Sequence, residues 1–337
     1  MKEGKYSAGV WVFGSCPDRF VSRGYKDALS LEDRLKMLTE VWGIEGVEAQ
    51  YPSDFSNVDI DRVKGLLQTY GLELSMVCID IYSDRKWRYG SLAAVDESVR
   101  QDAITVVKGG MDAAERLGAM QVNFWGGHDG FDYPFQADYG EAWRLLVEGL
   151  RECASYKPDV KLCIEYKMKE PRTHLYVDTA AKALLLANEV RRENVGVTLD
   201  TGHSLMAGEN MAAAASLLGQ AGKLFHLHFN DNYRDWDHDM IVGSVHLWEY
   251  LELLLWLKLL DYKGWYSLDM DPYREDPVYA CSESFRTLDA LREVIDSLDL
   301  RHLRAEIKRG NLREVQPLLR AALIRSPLES AASRLTA

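Results

Sequence analysis

Four short apolar segments between residues 161 and 269 each end in a side chain that can bind a metal ion. The segments end in Cys-Ile-Glu165, Thr-Leu-Asp200, His-Leu-His228 and Ser-Leu-Asp269. One acid after an apolar run is usually a solvated loop residue or a helix N-cap. Four such ends in succession are different, because carboxylates that converge on one point repel each other unless a cation neutralises them. The pattern therefore predicts a metal site formed by Glu165, Asp200, His228 and Asp269.

A second group of possible ligands lies just after two of these segments. His203 follows Asp200 by three residues, and a tight turn could direct its imidazole back to the same cavity. Asp237 and Asp239 are two residues apart, so in an extended loop their side chains share a face. With Asp200 as a bridge, His203, Asp237 and Asp239 could hold a second cation. Taken alone, the two loop acids would be ordinary exposed residues.

The donor types also limit the choice of metal. Both groups consist mostly of carboxylate oxygens with one imidazole each, a set that favours Mg²⁺, Mn²⁺ or Co²⁺ over tightly held zinc. Mn²⁺ is the first choice, because nitrogen in the coordination shell disfavours Mg²⁺. We therefore expect two divalent cations, with Mn²⁺ preferred.

These residues can meet only if the segments that carry them are neighbouring strands. Short apolar runs alternate with amphipathic helical patterns along the chain, which indicates parallel strands with right-handed crossovers. Eight repeats in about 300 residues favour a closed barrel, whose reactive groups lie at the carboxyl ends of the strands. We predict an α/β fold with a single (β/α)8 TIM barrel. The candidate strands are Gly9–Phe13, Gly46–Ala49, Leu74–Ile79, Gln121–Trp125, Lys161–Tyr166, Val195–Leu199, Leu224–Phe229 and Trp265–Asp269.

Residues 299–337 follow the eighth predicted helix and are not needed to close a barrel. Their pattern predicts two further helices, Leu303–Lys308 and Leu312–Ile324. We expect the barrel to occupy residues 1–298 and a C-terminal helical extension to occupy residues 299–337. We expect this extension to lie as an arm at the subunit interface of a homodimer or homotetramer. Packing against the outer wall of its own barrel is the alternative.

Composition and charge exclude some classes of partner. The chain has 52 acidic residues against 40 Lys and Arg, a formal net charge of -12. Nucleic acid is therefore not expected as a partner, because binding to its backbone needs clustered Lys and Arg. No run approaches the roughly 20 apolar residues of a membrane span, and no signal peptide is evident, so we expect a cytoplasmic protein with a small-molecule substrate. The five scattered cysteines predict reduced, buried thiols.

Taken together, these motifs resemble those of the xylose isomerase superfamily, most closely its rhamnose-isomerase-like and xylose-isomerase-like members. The resemblance implies the same two metal groups as the spacing does. It also implies that Lys167 binds the carbonyl oxygen of a sugar, and that His203 and Asp237 complete the catalytic group. It extends from about Val10 to Leu298 and rests on Glu165-Tyr-Lys167, Asp200-Thr-Gly-His203, His228-Phe-Asn-Asp, Asp237-His-Asp239 and Asp269 followed by Asp276-Pro277.

The resemblance further implies residues that bind the sugar. The run that contains Trp125 is similar to the family's strand-four run, whose tryptophan forms a wall of the sugar pocket. Trp11 is a second candidate for such a wall, and core packing is the alternative for either residue. Members commonly carry a sugar-binding histidine at the end of strand three, where this chain has Asp80. We expect Asp80 or His128 to take its place.

The activity that the resemblance implies is a divalent-metal-dependent aldose–ketose isomerase, an intramolecular oxidoreductase that moves a hydride between C1 and C2. An unphosphorylated sugar is expected, because no Gly-rich phosphate loop or arginine cluster follows strands seven and eight. A ketose 3-epimerase on the same barrel is the alternative, although its chemistry requires Glu at position 269 and has no use for Lys167. A non-catalytic sugar-binding barrel is a further alternative. An apurinic-site endonuclease is disfavoured by the net charge and by Asp239.

Overall fold

Eight parallel strands form a closed barrel within the residues that the computed structural model describes, 4–56 and 58–324. This confirms the predicted TIM barrel. The last strand closes the barrel on the first, with Ala8 beside Leu268. In chain order the strands are β1 (Lys5–Gly9), β2 (Gly46–Tyr51), β3 (Glu73–Ile79), β4 (Gln121–Trp125), β5 (Lys161–Glu165), β6 (Val195–Asp200), β7 (Leu224–Phe229) and β8 (Trp265–Leu268).

Helices connect successive strands, and many begin at a side-chain cap. Asp96, Asp138 and Asp276 each accept a hydrogen bond from a backbone N–H two or three residues further on, which fixes where their helices start. The helices are α1 (Leu31–Leu38), α2 (Ile60–Tyr70), α3 (Glu97–Leu117), α4 (Tyr139–Tyr156), α5 (Ala180–Val190), α6 (Thr201–Met206), α7 (Met211–Gln220), α8 (Leu247–Leu259), α9 (Pro277–Asp296), α10 (Leu300–Lys308) and α11 (Leu312–Leu323).

The strand register brings the predicted ligands to one edge of the barrel. His228 of β7 pairs with Asp200 of β6, and Glu165 of β5 pairs with Thr198, two residues before Asp200. Asp269 directly follows β8. Because the strands are parallel, all four ends point to the same mouth.

The prediction for strand one is wrong in position. The strand is Lys5–Gly9, and the run Val10–Phe13 forms a 3-10 turn. The continuous apolar run Val-Trp-Val-Phe is typical of a buried strand. Pairing with β8 nevertheless selects the preceding residues, and Val10 and Val12 are buried from within the turn.

The C-terminal extension begins with two helices that pack on the same chain. Leu303 of α10 and Val315 of α11 are buried in the main hydrophobic core. The predicted helices are confirmed, although the first begins at Leu300. Residues 325–337 lie outside the described residues. The division at residue 298 and the role of the extension at a subunit interface stay predictions.

Two expectations about the class of protein can be compared with the structure. Within the described part of the chain, no helix combines the length and the apolar character needed to cross a bilayer. All five cysteines are free thiols and buried, as predicted.

Candidate metal centre

The four predicted ligands of the first group meet at the barrel mouth. One donor atom from each of Glu165, Asp200, His228 and Asp269 lies within 4.8 Å of the other three. His228 Nδ1 is 3.1 Å from Glu165 Oε1 and 3.6 Å from Asp269 Oδ2. The side chain of Asp269 is 28% exposed, whereas the other three are buried. The group is therefore open to solvent on the side of Asp269.

Hydrogen bonds orient two of these carboxylates. Asn123 of β4 donates its amide to Glu165 Oε2, and Thr198 donates its hydroxyl to Asn123 Oδ1 over 2.7 Å. Trp11 Nε1 donates to Asp269 Oδ1 over 2.7 Å. One oxygen of each carboxylate is thus held in place, and the other faces His228.

Asp200 joins the first group to a second one through a short helix that the sequence analysis did not predict. Asp200 Oδ1 caps α6 by accepting a hydrogen bond of 2.8 Å from the backbone N–H of His203. This cap places the imidazole of His203 beside both groups, with Nδ1 3.4 Å from Glu165 Oε1 and Nε2 3.1 Å from Asp237 Oδ2. Asp200, His203 and Asp237 have donor atoms within 4.8 Å of one another.

Asp239 is not brought into this second group among the described residues. The expected shared face of Asp237 and Asp239 required an extended loop. Asp239 instead has a φ of 49°, in the left-handed region, and its carbonyl accepts a hydrogen bond from the backbone N–H of Asp271. A role for Asp239 as a ligand stays a prediction.

Lys167 lies beside the second group. It follows Glu165 by two residues and is buried, with Nζ 2.7 Å from Asp237 Oδ2 and 2.5 Å from Glu170 Oε2. Its Nζ also lies 5.1 Å from the ring centroid of Trp125. Two carboxylates and an aromatic face therefore fix the position of the ammonium group.

The family of the chain follows from a comparison with known sequences. The sequence model of the xylose isomerase-like TIM barrel family matches residues 38–305. The chain belongs to this family. Xylose isomerase from Thermus thermophilus is 29% identical over 244 residues, which cover 69% of this chain and 63% of the relative. The chain therefore spans less than two thirds of the length of this curated relative.

Solved structures of similar fold include two sugar epimerases. D-allulose 3-epimerase from Methylomonas sp., in complex with D-allulose, superposes with a TM-score of 0.66 at 16% identity, covering 86% of this chain and 97% of that one. D-psicose 3-epimerase from Clostridium cellulolyticum H10, with D-tagatose, gives 0.65 at 18% identity, covering 86% and 98%. At these identities the likeness shows that this xylose isomerase-like barrel and the epimerases share a fold.

Electrostatics divides the acids of this xylose isomerase-like barrel into two kinds. Burial raises the pKa of Asp200, and the neighbouring carboxylates of Asp237 and Glu165 raise it further, to about 7. At Glu165 the pKa shifts downward. Burial raises it, but the positive charges of His228 and His203 outweigh burial and lower the pKa to about 2. Asp200 is thus the carboxylate whose charged form the neighbouring acids disfavour.

The imidazoles and the lysine respond to the same acids. Burial lowers the pKa of His203, but Asp200 and Asp237 outweigh it and raise the value to about 9. Burial likewise opposes the charged form of Lys167, yet Asp237 and Glu170 raise its pKa well above the usual range. The carboxylates of the site therefore stabilise the protonated, cationic forms of His203 and Lys167.

The residues of both groups fit divalent cations. The first group offers three carboxylates and one imidazole, a donor set that suits Mn²⁺, Mg²⁺ or Co²⁺. In the second, His203 Nδ1 and Asp237 Oδ1 are buried atoms without a hydrogen-bond partner in the described structure. Buried polar atoms normally have a hydrogen-bond partner, so the lone pairs of these two atoms are available to bind an ion.

Among the predicted sugar-binding residues, Trp125 contacts Lys167, whereas Asp80 and His128 contact residues of the loop after β3. Trp125 faces Lys167, and its ring packs edge-on against Tyr82 at a centroid distance of 4.6 Å. Asp80 accepts hydrogen bonds from the hydroxyl and the backbone N–H of Ser83, which accounts for its carboxylate within a turn. His128 Nε2 lies 3.2 Å from the carbonyl oxygen of Tyr82. The role of each in sugar binding stays a prediction, as it does for Trp11.

A cavity of about 1110 Å³ opens beside the second group. It lies over the loops that follow β1, β5, β7 and β8, and Asp237 and Asp239 form part of its wall. Aromatic, basic and further acidic side chains line its other parts, among them Phe20, Tyr25, Trp236, Tyr273, Arg19, Arg274, Asp18 and Asp271. A small polar molecule can therefore reach the candidate ligands from solvent.

Sequence analysis assigned no role to two buried residues beneath the first group, Glu48 and His226. Both are 0% exposed, and Glu48 contacts His226 and His228. The signal that could have found them is the alternation His226-Leu-His228, which places both imidazoles on one face of β7. Two imidazoles on one interior face require a buried acceptor, and Glu48 of β2 supplies it.

Proposed function

We propose that this chain is a divalent-metal-dependent aldose–ketose isomerase that acts on a small sugar. The observation that carries the proposal is the cluster of Glu165, Asp200, His228 and Asp269, with donor atoms within 4.8 Å of one another. Lys167 lies beside the second group, buried and held by Asp237. The 29% identity with a xylose isomerase supports the same reaction class.

Glu165, Asp200, His228 and Asp269 would hold one cation, and Asp200, His203 and Asp237 a second. A divalent cation in such a site supplies a Lewis acid, which polarises a carbonyl and lowers the pKa of a bound hydroxyl or water. The chain would contribute the negative charge that retains the ion and the fixed positions of the ligands.

Lys167 would stabilise negative charge that grows on the carbonyl oxygen of the open-chain sugar. Its ammonium group is fixed by Asp237 and Glu170, so it needs no reorganisation as the charge develops. Trp125 would place an apolar wall against the C–H face of the sugar and keep water from the reacting carbons. Hydrogen would then move between C1 and C2 as a hydride, which requires no protein base.

The substrate class is proposed as an unphosphorylated sugar. Arg19 and Arg274 are distant in sequence but both line the cavity, which the sequence analysis did not foresee. A substrate panel should therefore contain sugar phosphates as well as free pentoses and hexoses. Faster turnover of the free sugars is expected.

The test is metal removal followed by reconstitution. The protein is dialysed against a chelator, supplied with Mn²⁺ or Mg²⁺, and assayed for aldose-to-ketose conversion over this panel. We expect activity to disappear on dialysis and to return with the metal. Undiminished turnover by the metal-free protein would refute the proposal.

A ketose 3-epimerase is the second candidate, and one observation favours it. The four-residue group is complete, whereas Asp239 lies outside the second group among the described residues. An epimerase requires only one metal site, although this chain has Asp at position 269, where that chemistry requires Glu. Turnover in deuterium oxide separates the two reactions: a hydride shift keeps the migrating hydrogen, whereas abstraction by a base exchanges it with solvent. We expect little deuterium in the product.

A further inference from the structure

A buried chain of hydrogen bonds lies directly beneath the first metal group. Glu48 of β2 stands between two imidazoles of β7, with Oε1 2.7 Å from His226 Nε2 and Oε2 3.0 Å from His228 Nε2. Glu48 and His226 are 0% exposed, and His228 is 1% exposed. These hydrogen bonds stabilise the buried carboxylate, because a carboxylate without charged or hydrogen-bonding partners would be strongly disfavoured there.

The partners of His226 determine where its proton lies. Gln121 Nε2 donates one hydrogen to the carbonyl oxygen of Ser75 over 2.7 Å, and its other hydrogen faces His226 Nδ1 at 3.4 Å. Nδ1 of His226 is thus an acceptor, and its proton is on Nε2, which donates to Glu48 Oε1. Glu48 is fixed from this side.

The same carboxylate then determines the proton of His228. Glu48 Oε2 accepts from His228 Nε2, so Nε2 keeps its proton and Nδ1 is the nitrogen that can offer a lone pair to an ion. Nδ1 is the atom that faces Glu165 Oε1, Asp269 Oδ2 and Asp200 Oδ2, at 3.1, 3.6 and 3.9 Å. A carboxylate behind a ligating imidazole fixes its tautomer and orientation and raises its basicity towards a metal ion.

We propose that Glu48 is a positioning residue of the metal centre, which holds His228 in the tautomer that presents Nδ1 to a divalent cation. The inference rests on the proposed metal-dependent function. Glu48 would act through His228 and would not itself bind the ion or the sugar.

A different use of the same atoms is less consistent with their contacts. Glu48, Cys78 and His228 also have donor atoms within 4.8 Å of one another, as a metal site would. However, Cys78 Sγ donates to Glu48 Oε2 over 3.3 Å, and each oxygen of Glu48 already accepts a hydrogen bond from an imidazole. These groups satisfy each other without an ion.

The Glu48→Gln substitution tests the proposal because it keeps the shape and removes one acceptor. If the NH2 group of the new glutamine faced His226 Nε2, that imidazole would need its proton on Nδ1. Nδ1 already faces an amide hydrogen of Gln121. The NH2 group should therefore face His228 Nε2, so that Nε2 accepts and the imidazole keeps its proton on Nδ1, where it donates to Glu165 Oε1. The metal-free protein then remains well paired, but the ligand atom is blocked.

The measurement is calorimetric titration of the metal-free wild type and the variant with Mn²⁺ and Co²⁺. We expect the variant to bind about 10- to 100-fold more weakly. Melting of the metal-free variant should stay close to that of the wild type, and the visible absorption of bound Co²⁺ should change as the imidazole leaves the coordination shell. A purely structural role would lower the melting temperature and leave the affinity and the spectrum unchanged.

Glu306→Gln is the matched control. Glu306 is also a buried glutamate that accepts side-chain hydrogen bonds, from Asn311 and Arg309, but it lies on α10 in the C-terminal extension. Its variant should keep wild-type metal affinity. Equal affinity of the Glu48→Gln variant and the wild type would overturn the positioning role alone. Failure of the wild type to bind either metal would overturn the proposed function as well.

Discussion

The two candidate metal groups share Asp200 but differ in the elements that carry their other members. In the first group, Glu165 and His228 end strands and Asp269 follows one directly, so the register of the barrel fixes all three. In the second group, His203 lies on a short helix and Asp237 on a loop. Strand ends are held by the whole barrel, whereas a loop residue depends on local contacts. The comparison indicates a preformed first group and a more adaptable second group.

The groups also differ in how their charge is balanced. Asp237 of the second group is already paired with Lys167, whose Nζ is 2.7 Å from Oδ2. This ion pair and His203 lower the pKa of Asp237 against the effect of burial. Asp269 of the first group, by contrast, has a raised pKa, because burial and the neighbouring carboxylate of Glu165 oppose its charge. An ion should therefore bind first where the strand-borne acids meet.

The largest effect should come from the residue that both groups share. We expect Asp200→Asn to lower kcat by about 1,000-fold at saturating Mn²⁺, because several kcal/mol of transition-state stabilisation depend on the ions. Steady-state kinetics and metal stoichiometry of the purified variant provide the check. Asp235→Asn, in which an exposed loop acid is changed, is the control and should keep full activity. A loss below tenfold in the Asp200 variant would show that catalysis does not depend on either metal group.

The next largest effect should come from Lys167, which tests whether the charge balance of the second group serves catalysis. Lys167→Met should fold and bind metal but turn over at least ~100-fold more slowly, because a fixed donor to the growing oxyanion is lost. Kinetics at saturating sugar, together with metal titration, measure the two properties separately. The exposed Lys182→Met variant should behave as the wild type. Near-normal turnover would remove Lys167 from the catalytic group.

The smallest effects should distinguish the two loop acids. Asp237→Asn should weaken binding of the second cation by tenfold or more, whereas Asp239→Asn should weaken it by less than about threefold. The reason is that Asp237, and not Asp239, has a carboxylate oxygen within reach of His203 and Asp200. Titration of each variant with Mn²⁺ resolves the second binding step. Equal losses in the two variants would show that the loop rearranges to bring Asp239 to the ion.

The fold and the first group could be predicted from sequence because regular elements determine both. Glu165, Asp200 and His228 lie in the last two residues of short apolar strands, and Asp269 directly follows one. Parallel strands of one barrel end at one mouth. The error at β1 has a related cause, since Val10–Phe13 is as apolar as a strand and only pairing with β8 shows that it is not one.

The second group and the supports could not be predicted in the same way. The position of Asp239 depends on a left-handed backbone conformation within a loop, and no periodicity in the sequence encodes it. Helix α6 has only six residues, too few to show a helical period. Glu48 is far from its partners in the chain, so its pairing with His226 and His228 appears only when β2 and β7 face each other across the barrel.

The most direct test of the metal centre is anomalous diffraction from crystals soaked in Mn²⁺. We predict a strong anomalous peak enclosed by Glu165, Asp200, His228 and Asp269, with ligand atoms at roughly 2.0–2.4 Å. A weaker second peak should lie beside His203 and Asp237. Absence of a peak among the four strand-end residues at saturating Mn²⁺, or a peak bound only elsewhere, would contradict the account.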